Sequence, residues 1–321
     1  MRKFLTLCVL VLGMVSCKKE GKSKLDVDVS NIKVNVEIDR FDIDFYNISE
    51  KSLEQVKKEY PILFPLNVHD SIWGNKRNDK DEQELFIETQ RVYNDINELD
   101  LELVSLFKHV KYYNPKFVSP KVITMLTNID YDNRIVYSDS LLLISLDSYL
   151  GKEHEFYNDY PAYVKENNKK ENIIVDVAKA IISKQMYPSR SRRFIDKMIY
   201  KGKKMYLLDA YLPNVLDEYK IGYPKVKFDW AVDNEEQIWK YFVGKDLLYS
   251  TSKENDKRFL NLAPFSKFYM EGDGESPGRI GEWIGWQIVR SYMQKNDVSL
   301  RELLQTDEET IFNKSKYKPK R

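Results

Sequence analysis

The stretch Gly278–Met293, GRIGEWIGWQIVRSYM, carries the most structural information in this 321-residue chain. Gly281 and Gly285 are four residues apart, so on a helix they share one face. Glycine inside a helix costs up to about 1 kcal/mol against alanine, so a pair on one face points to a second backbone that must come close. Ile284, Ile288, Val289 and Tyr292 extend the apolar surface, and the helix is expected over 281–295. The loop before it, EGDGESPGRIG at 271–281, is glycine-rich but lacks the Lys-Ser/Thr pair of a phosphate-binding loop and carries three acids. It reads as a tight entry into the helix. Trp283, Trp286 and Arg279 leave two readings open. They pack the core, or they border a binding groove, because Trp and Arg are frequent among binding hot spots.

Outward from this helix, the C-terminal half is helical. Ile173, Ile174, Val177, Ile181 and Ile182 mark a buried helix running to about Tyr187 and closed by Pro188. Phe194 to Leu212, closed by Pro213, and Glu235 to Lys245 give two more. The N-terminal half holds the strands. Ile32, Val34, Val36 and Ile38 alternate with polar residues, a period of two. Strands are also expected near 117–123, 135–137 and 141–146, with a turn at Ser138 and Asp139. Helices fill 53–60 and a long run over 81–110. Strands first and helices after predict an α+β fold, mostly helical with a small mixed or antiparallel sheet.

The chain opens MRKFLTLCVLVLGMVSCKKE. Arg2 and Lys3 precede an apolar stretch too short to span a bilayer well, and Cys17 ends it. This start is similar to a bacterial lipoprotein signal, in which the cysteine is acylated and becomes the first mature residue. Met14 stands where Leu is usual. Residues 1–16 are then a signal peptide, 17–30 a lipidated cysteine with a flexible tether, 31–310 one globular domain and 311–321 a basic disordered tail. Acyl chains hold a body on a membrane by about 0.8 kcal/mol per buried methylene.

Composition is that of a folded globular protein, 42% hydrophobic and 13% aromatic. A net charge of +1 argues against nucleic acid as a partner. The three histidines, His69, His109 and His154, are too far apart for H-E-x-x-H, and the only cysteines are Cys8 and Cys17. No metal, cofactor or catalytic residue is therefore expected. Asp130 and Asp132 begin like a calcium loop, but Arg134 and a missing glycine break the pattern.

The lipoprotein start, the strand IKVNVEIDRFD, the segment LLLISLDSYLG with YPAYV following, and GRIGEWIGWQIVRSYM together resemble the GldB gliding-motility lipoproteins of Bacteroidetes. The resemblance implies a membrane-anchored envelope protein required for gliding, with other gliding-motility or type IX secretion proteins as partners and Cys17 as the lipidation site. It implies no catalytic residues, so a non-enzymatic binding or assembly role is expected at a periplasm-facing membrane surface. Two alternatives are an envelope hydrolase, metallopeptidase-like or carboxylate-based, and a periplasmic carrier of peptide or polysaccharide. The order of elements is also similar to a degenerate zincin-type metallopeptidase. If the histidines of such an enzyme fall at Asp176 and Ala180, its general base falls at Val177 and its later ligand near Lys201. Valine, alanine and lysine there cannot hold or activate a zinc-bound water.

Overall fold

The computed structural model describes residues 24–320. Four short strands form one sheet: β1 (Ile38–Arg40), β2 (Lys121–Met125), β3 (Ile135–Ser138) and β4 (Leu141–Ser145), in the order β1-β2-β4-β3. β1, β2 and β4 run parallel, with Ile38 opposite Val122 and Lys121 opposite Leu141. β3 is antiparallel to β4 at the edge, joined to it across Asp139 and Ser140. The sheet is therefore mixed, and helices dominate the rest, an α+β fold.

Several boundaries differ from those expected. The alternation at 32–38 is real in exposure, with Ile32, Val34 and Val36 half-buried and Lys33, Asn35 and Glu37 exposed. Yet only Ile38–Arg40 is a strand. Its partner β2 starts at Lys121, directly after Pro120, so residues 32–37 have no ladder to join. They lie extended against the body instead, and the Lys111 ammonium donates to the Lys33 carbonyl at 2.9 Å. The long helix over 81–110 is two helices, Lys80–Tyr93 and Asn97–Tyr113. Asn94 and Asp95 interrupt it, and the Asp95 carboxylate accepts from the Asn97 amide at 2.8 Å.

The two ends are ordered further than expected. Among residues 24–30 of the expected tether, Leu25 packs against the core and the Lys24 ammonium donates to the Asn296 carbonyl at 2.9 Å. The basic tail is not disordered within the described residues. Glu308–Ser315 is a helix capped by Asp307, with Ile311 fully buried. Its Phe312 and the following Tyr317 pack around Trp239, and the Tyr317 hydroxyl donates to Glu235 at 2.8 Å. The lysines of this segment had suggested disorder, but Ile311, Phe312 and Tyr317 between them supply an apolar face.

The core centres on two helices, Phe194–Tyr211 and Ile280–Lys295, which make the most extensive contact in the molecule. Their backbones touch through glycine. A Cβ placed on Gly285 would lie 1.9 Å from the Met198 carbonyl oxygen, and one on Gly202 would lie 2.2 Å from that of Gly285. Gly281 meets the end of a third helix, Lys253–Phe259, where a Cβ would sit 3.0 Å from the Phe259 oxygen. The Ile173–Gln185 helix packs between the Phe194 helix and β3 and so joins the sheet to the helical half.

Candidate functional site

The helix beginning at Ile280 is entered through an arginine in the left-handed region, Arg279 at φ 59°. A non-glycine residue there costs of order 1 kcal/mol. The turn is held by Ser266, whose hydroxyl accepts from the Ile280 amide at 3.2 Å and donates to the Pro277 carbonyl at 2.8 Å. Gly278, just before, lets this turn close, since a Cβ there would lie 2.1 Å from the Ala263 oxygen. The outcome is a guanidinium fixed at the mouth of a cleft.

That cleft, about 420 Å³ in volume, lies between the Ile173, Phe194 and Ile280 helices. Lys179, Lys201, Lys204 and Arg279 line it against one carboxylate, Glu282, a net charge of +3 on the lining. The Lys201 ammonium is 3.6 Å and the Arg279 Nη1 3.7 Å from Glu282 Oε2. Arg279 Nη2 donates to the Ile221 carbonyl at 2.6 Å, while its Nε is buried and has no hydrogen-bond partner among the described residues. Lys179 reaches Asp176 only at 3.7 Å.

The electrostatics follow from that imbalance. Burial pushes the Lys179 ammonium down, and Asp176 only partly offsets this. Burial, and then the neighbouring Lys201, likewise push Lys204 down. Burial alone would raise the Glu282 carboxyl, but Lys201, Arg279 and Lys179 outweigh it and hold Glu282 below the usual carboxylate range. The cleft therefore holds a positive excess around one ionised carboxylate. It continues past Leu262 and Arg279 into an apolar trough of about 480 Å³ lined by Tyr163, Tyr223, Pro224, Pro264 and Pro277. The Arg279 guanidinium sits 5.6 Å from the Tyr223 ring centre.

Of the three residues expected to border a groove, the structure leaves only Arg279 on one. Trp283 and Trp286 are core residues, 3% and 0% exposed. Trp283 stands edge-on to Phe228 at 5.3 Å and to Trp286 at 5.8 Å. The Trp286 indole donates to Asp209 at 2.8 Å beneath the Arg290 guanidinium. Asp209 also receives Arg290 at 2.7 and 2.8 Å and Lys220 at 3.0 Å, a buried ion network. The Ile280 helix is buried on several faces, so Trp286 meets Asp209 of the Phe194 helix while Trp283, on another side, is covered by Phe228. Lys179 and Lys204 escaped notice in the sequence, because no local spacing links side chains on separate helices.

The residues aligned with a metallopeptidase site are otherwise engaged. Asp176 accepts from the Tyr149 hydroxyl at 3.1 Å and pairs with Arg134 at 2.8 Å, and Val177 is buried in the core. Lys201 belongs to the cationic cleft. The histidines lie apart: His69 and His154 cap short helical segments, and His109 bonds the Ser105 carbonyl at 2.8 Å. Among the described residues no group of three or more His, Cys, Asp or Glu side chains could hold a metal ion. Cys17 lies outside the described residues. No described helix is long and apolar enough to cross a membrane.

The molecule is thus an α+β body with a cationic cleft opening on an apolar trough. The chain belongs to the family of the gliding motility protein GldB, whose model matches residues 22–319. No curated protein and no solved structure matches it.

Proposed function

We propose that this gliding-motility protein is a lipoprotein, anchored by acylated Cys17 to an envelope membrane and facing the periplasm, that binds a partner and catalyses no reaction. The cleft between the three helices takes an acidic segment of another envelope protein of the gliding or type IX secretion machinery, with the apolar trough receiving the flanking side chains. The observation that carries this reading is the excess of cations around Glu282, together with the unpartnered Arg279 Nε. Partly exposed like charges held close together repel one another, and an opposite charge relieves that repulsion. The cations thus prepare the cleft for an anionic guest.

Two substitutions test the reading in cells. Lys201→Glu with Lys204→Glu reverses half of the cationic lining at partly exposed positions. Gliding is expected to be lost while protein level and membrane fractionation stay normal. Normal gliding by this variant refutes the role of the cleft. Cys17→Ala is expected to release the body from membranes, and a wild-type membrane distribution refutes the anchor.

A further inference from the structure

The two basic ends of the sequence meet in the fold. Lys24 is the first described residue, and its ammonium donates to the Asn296 carbonyl at 2.9 Å. The Asn296 side chain donates to the Lys314 carbonyl at 3.3 Å. Next to it the Lys295 ammonium donates to the carbonyls of Ser315 and Lys316 at 2.9 and 2.8 Å. Residues some 290 positions apart thus share one end of the body, at the C-terminus of the Ile280 helix. Lys24, Lys295, Lys314, Lys316, Lys318 and Lys320 are all exposed there. The exposed acids of the same segments are Asp297, 3.4 Å from Lys24, Asp26 and Asp28. Glu235, which binds Tyr317 and the Lys320 amide, is buried. Along these segments six exposed lysines stand against three exposed acids.

Chain length then decides what this end faces. Six residues lie between Cys17 and Lys24, and the seven steps make a leash of at most about 25 Å. A body of this size has a radius of gyration of roughly 19 Å and is therefore about 50 Å across. The leash is shorter than the body, so an anchored molecule cannot turn its far side to the bilayer. The anchored end stays within about one body radius of the lipid, and it is the end that carries the lysines.

We propose that this face is a membrane-docking surface for anionic phospholipid headgroups, which sets the orientation of the body and points the cleft's partner toward a fixed height above the bilayer. The proposal rests on the anchored reading above, but its test does not require acylation. The mature chain carrying Cys17→Ser is mixed with protein-free vesicles rich in phosphatidylglycerol or made of phosphatidylcholine alone. Sedimentation is expected with the anionic vesicles only and to weaken steeply with salt. Reversing Lys314, Lys316 and Lys318 to Glu is expected to reduce vesicle affinity on the order of 100-fold, about 5-fold or more per lysine. Reversing the exposed Lys58, Lys80 and Lys116 of the N-terminal half is expected to leave it within about 3-fold. Sedimentation with neither vesicle, equal sedimentation with both, or full affinity in the Lys314/Lys316/Lys318 variant overturns the proposal. Retention on protein-containing envelope material but not on protein-free anionic vesicles assigns the face to an acidic protein and overturns it too. None of these results bears on whether Cys17 is acylated, which mass spectrometry of cell-derived protein reads separately.

Discussion

Gly285→Ala adds one methyl group at the contact on which the helical half is built. The new Cβ would stand 1.9 Å from the Met198 carbonyl oxygen and 2.4 Å from its carbon. Ordinary contact begins near 3.4 Å, so the two helices must part locally by about 1.5 Å. The obstructing atoms are backbone and cannot rotate aside. Parting the helices loosens fully buried neighbours on both, among them Ile199, Met198, Trp286 and Ile288. Overpacking of this kind costs about 1–3 kcal/mol and sometimes more, against a gain of up to about 1 kcal/mol from replacing glycine in a helix. A backbone obstruction belongs at the upper end, so a net loss of about 2 kcal/mol is expected. For the roughly 300 residues of the folded body, unfolding entropy scales to about 0.6 kcal/mol per degree, and the midpoint should fall by about 3 °C. The internal control is Gly74→Ala, in the Asp70–Asn78 helix, where nothing lies within 4 Å of the added Cβ. That variant should be unchanged or stabilised by up to about 1 kcal/mol. Thermal and urea unfolding of both proteins provide the measurement. A Gly285→Ala protein as stable as the parent would show that the helices do not touch as described. Gly202→Ala should cost a similar amount, and the double variant less than the sum, since one separation serves both.

Two further perturbations probe the buried charges. Asp209→Ala removes the acceptor shared by Trp286, Arg290 and Lys220 and should cost about 3–5 kcal/mol in urea unfolding, because Lys220 stays buried without its main partner. A loss below about 1 kcal/mol would mean that the network contributes little. Glu102 is raised to about 7, first by burial and then by Glu98. Between the unfolded value near 4.5 and 7 the native state holds a proton that the unfolded state has released, so wild-type stability falls as pH rises through that window. Glu102→Gln should therefore stabilise the protein at pH 8, with the gain vanishing toward pH 4. An equal effect at both pH values would refute the assignment.

Much of the fold could be read along the chain, because helices announce themselves locally. Pro188 and Pro213 closed the 173 and 194 helices to within two residues, and the hairpin between β3 and β4 turns at Asp139 and Ser140, one residue beyond the expected Ser138 and Asp139. Errors arose where a local pattern needed a distant partner. Residues 32–37 alternate as a strand should, but β2 begins too late to pair with them. The lysines after 311 suggested disorder until Trp239, some 70 positions earlier, supplied a surface for Phe312 and Tyr317. Trp283 and Trp286 have the composition of a binding site, yet the helix that carries them is covered on several faces and both rings are buried.

The amino-acid order alone determined the class of fold, the close-approach role of Gly281 and Gly285, the lipoprotein-like start and the family resemblance. Each of these resides in contiguous residues, where hydrophobic period, glycine spacing and motif are direct physical signals. Only the tertiary structure decided that Gly202 is the partner of Gly285 and that Lys179, Lys201, Lys204 and Arg279 converge on one carboxylate. It alone brought Lys24 and Lys314 to the same end of the body. Such meetings depend on how helices from separate parts of the chain cross. Crossing geometry is fixed by the packing of whole faces against one another, a property that no single stretch of sequence contains.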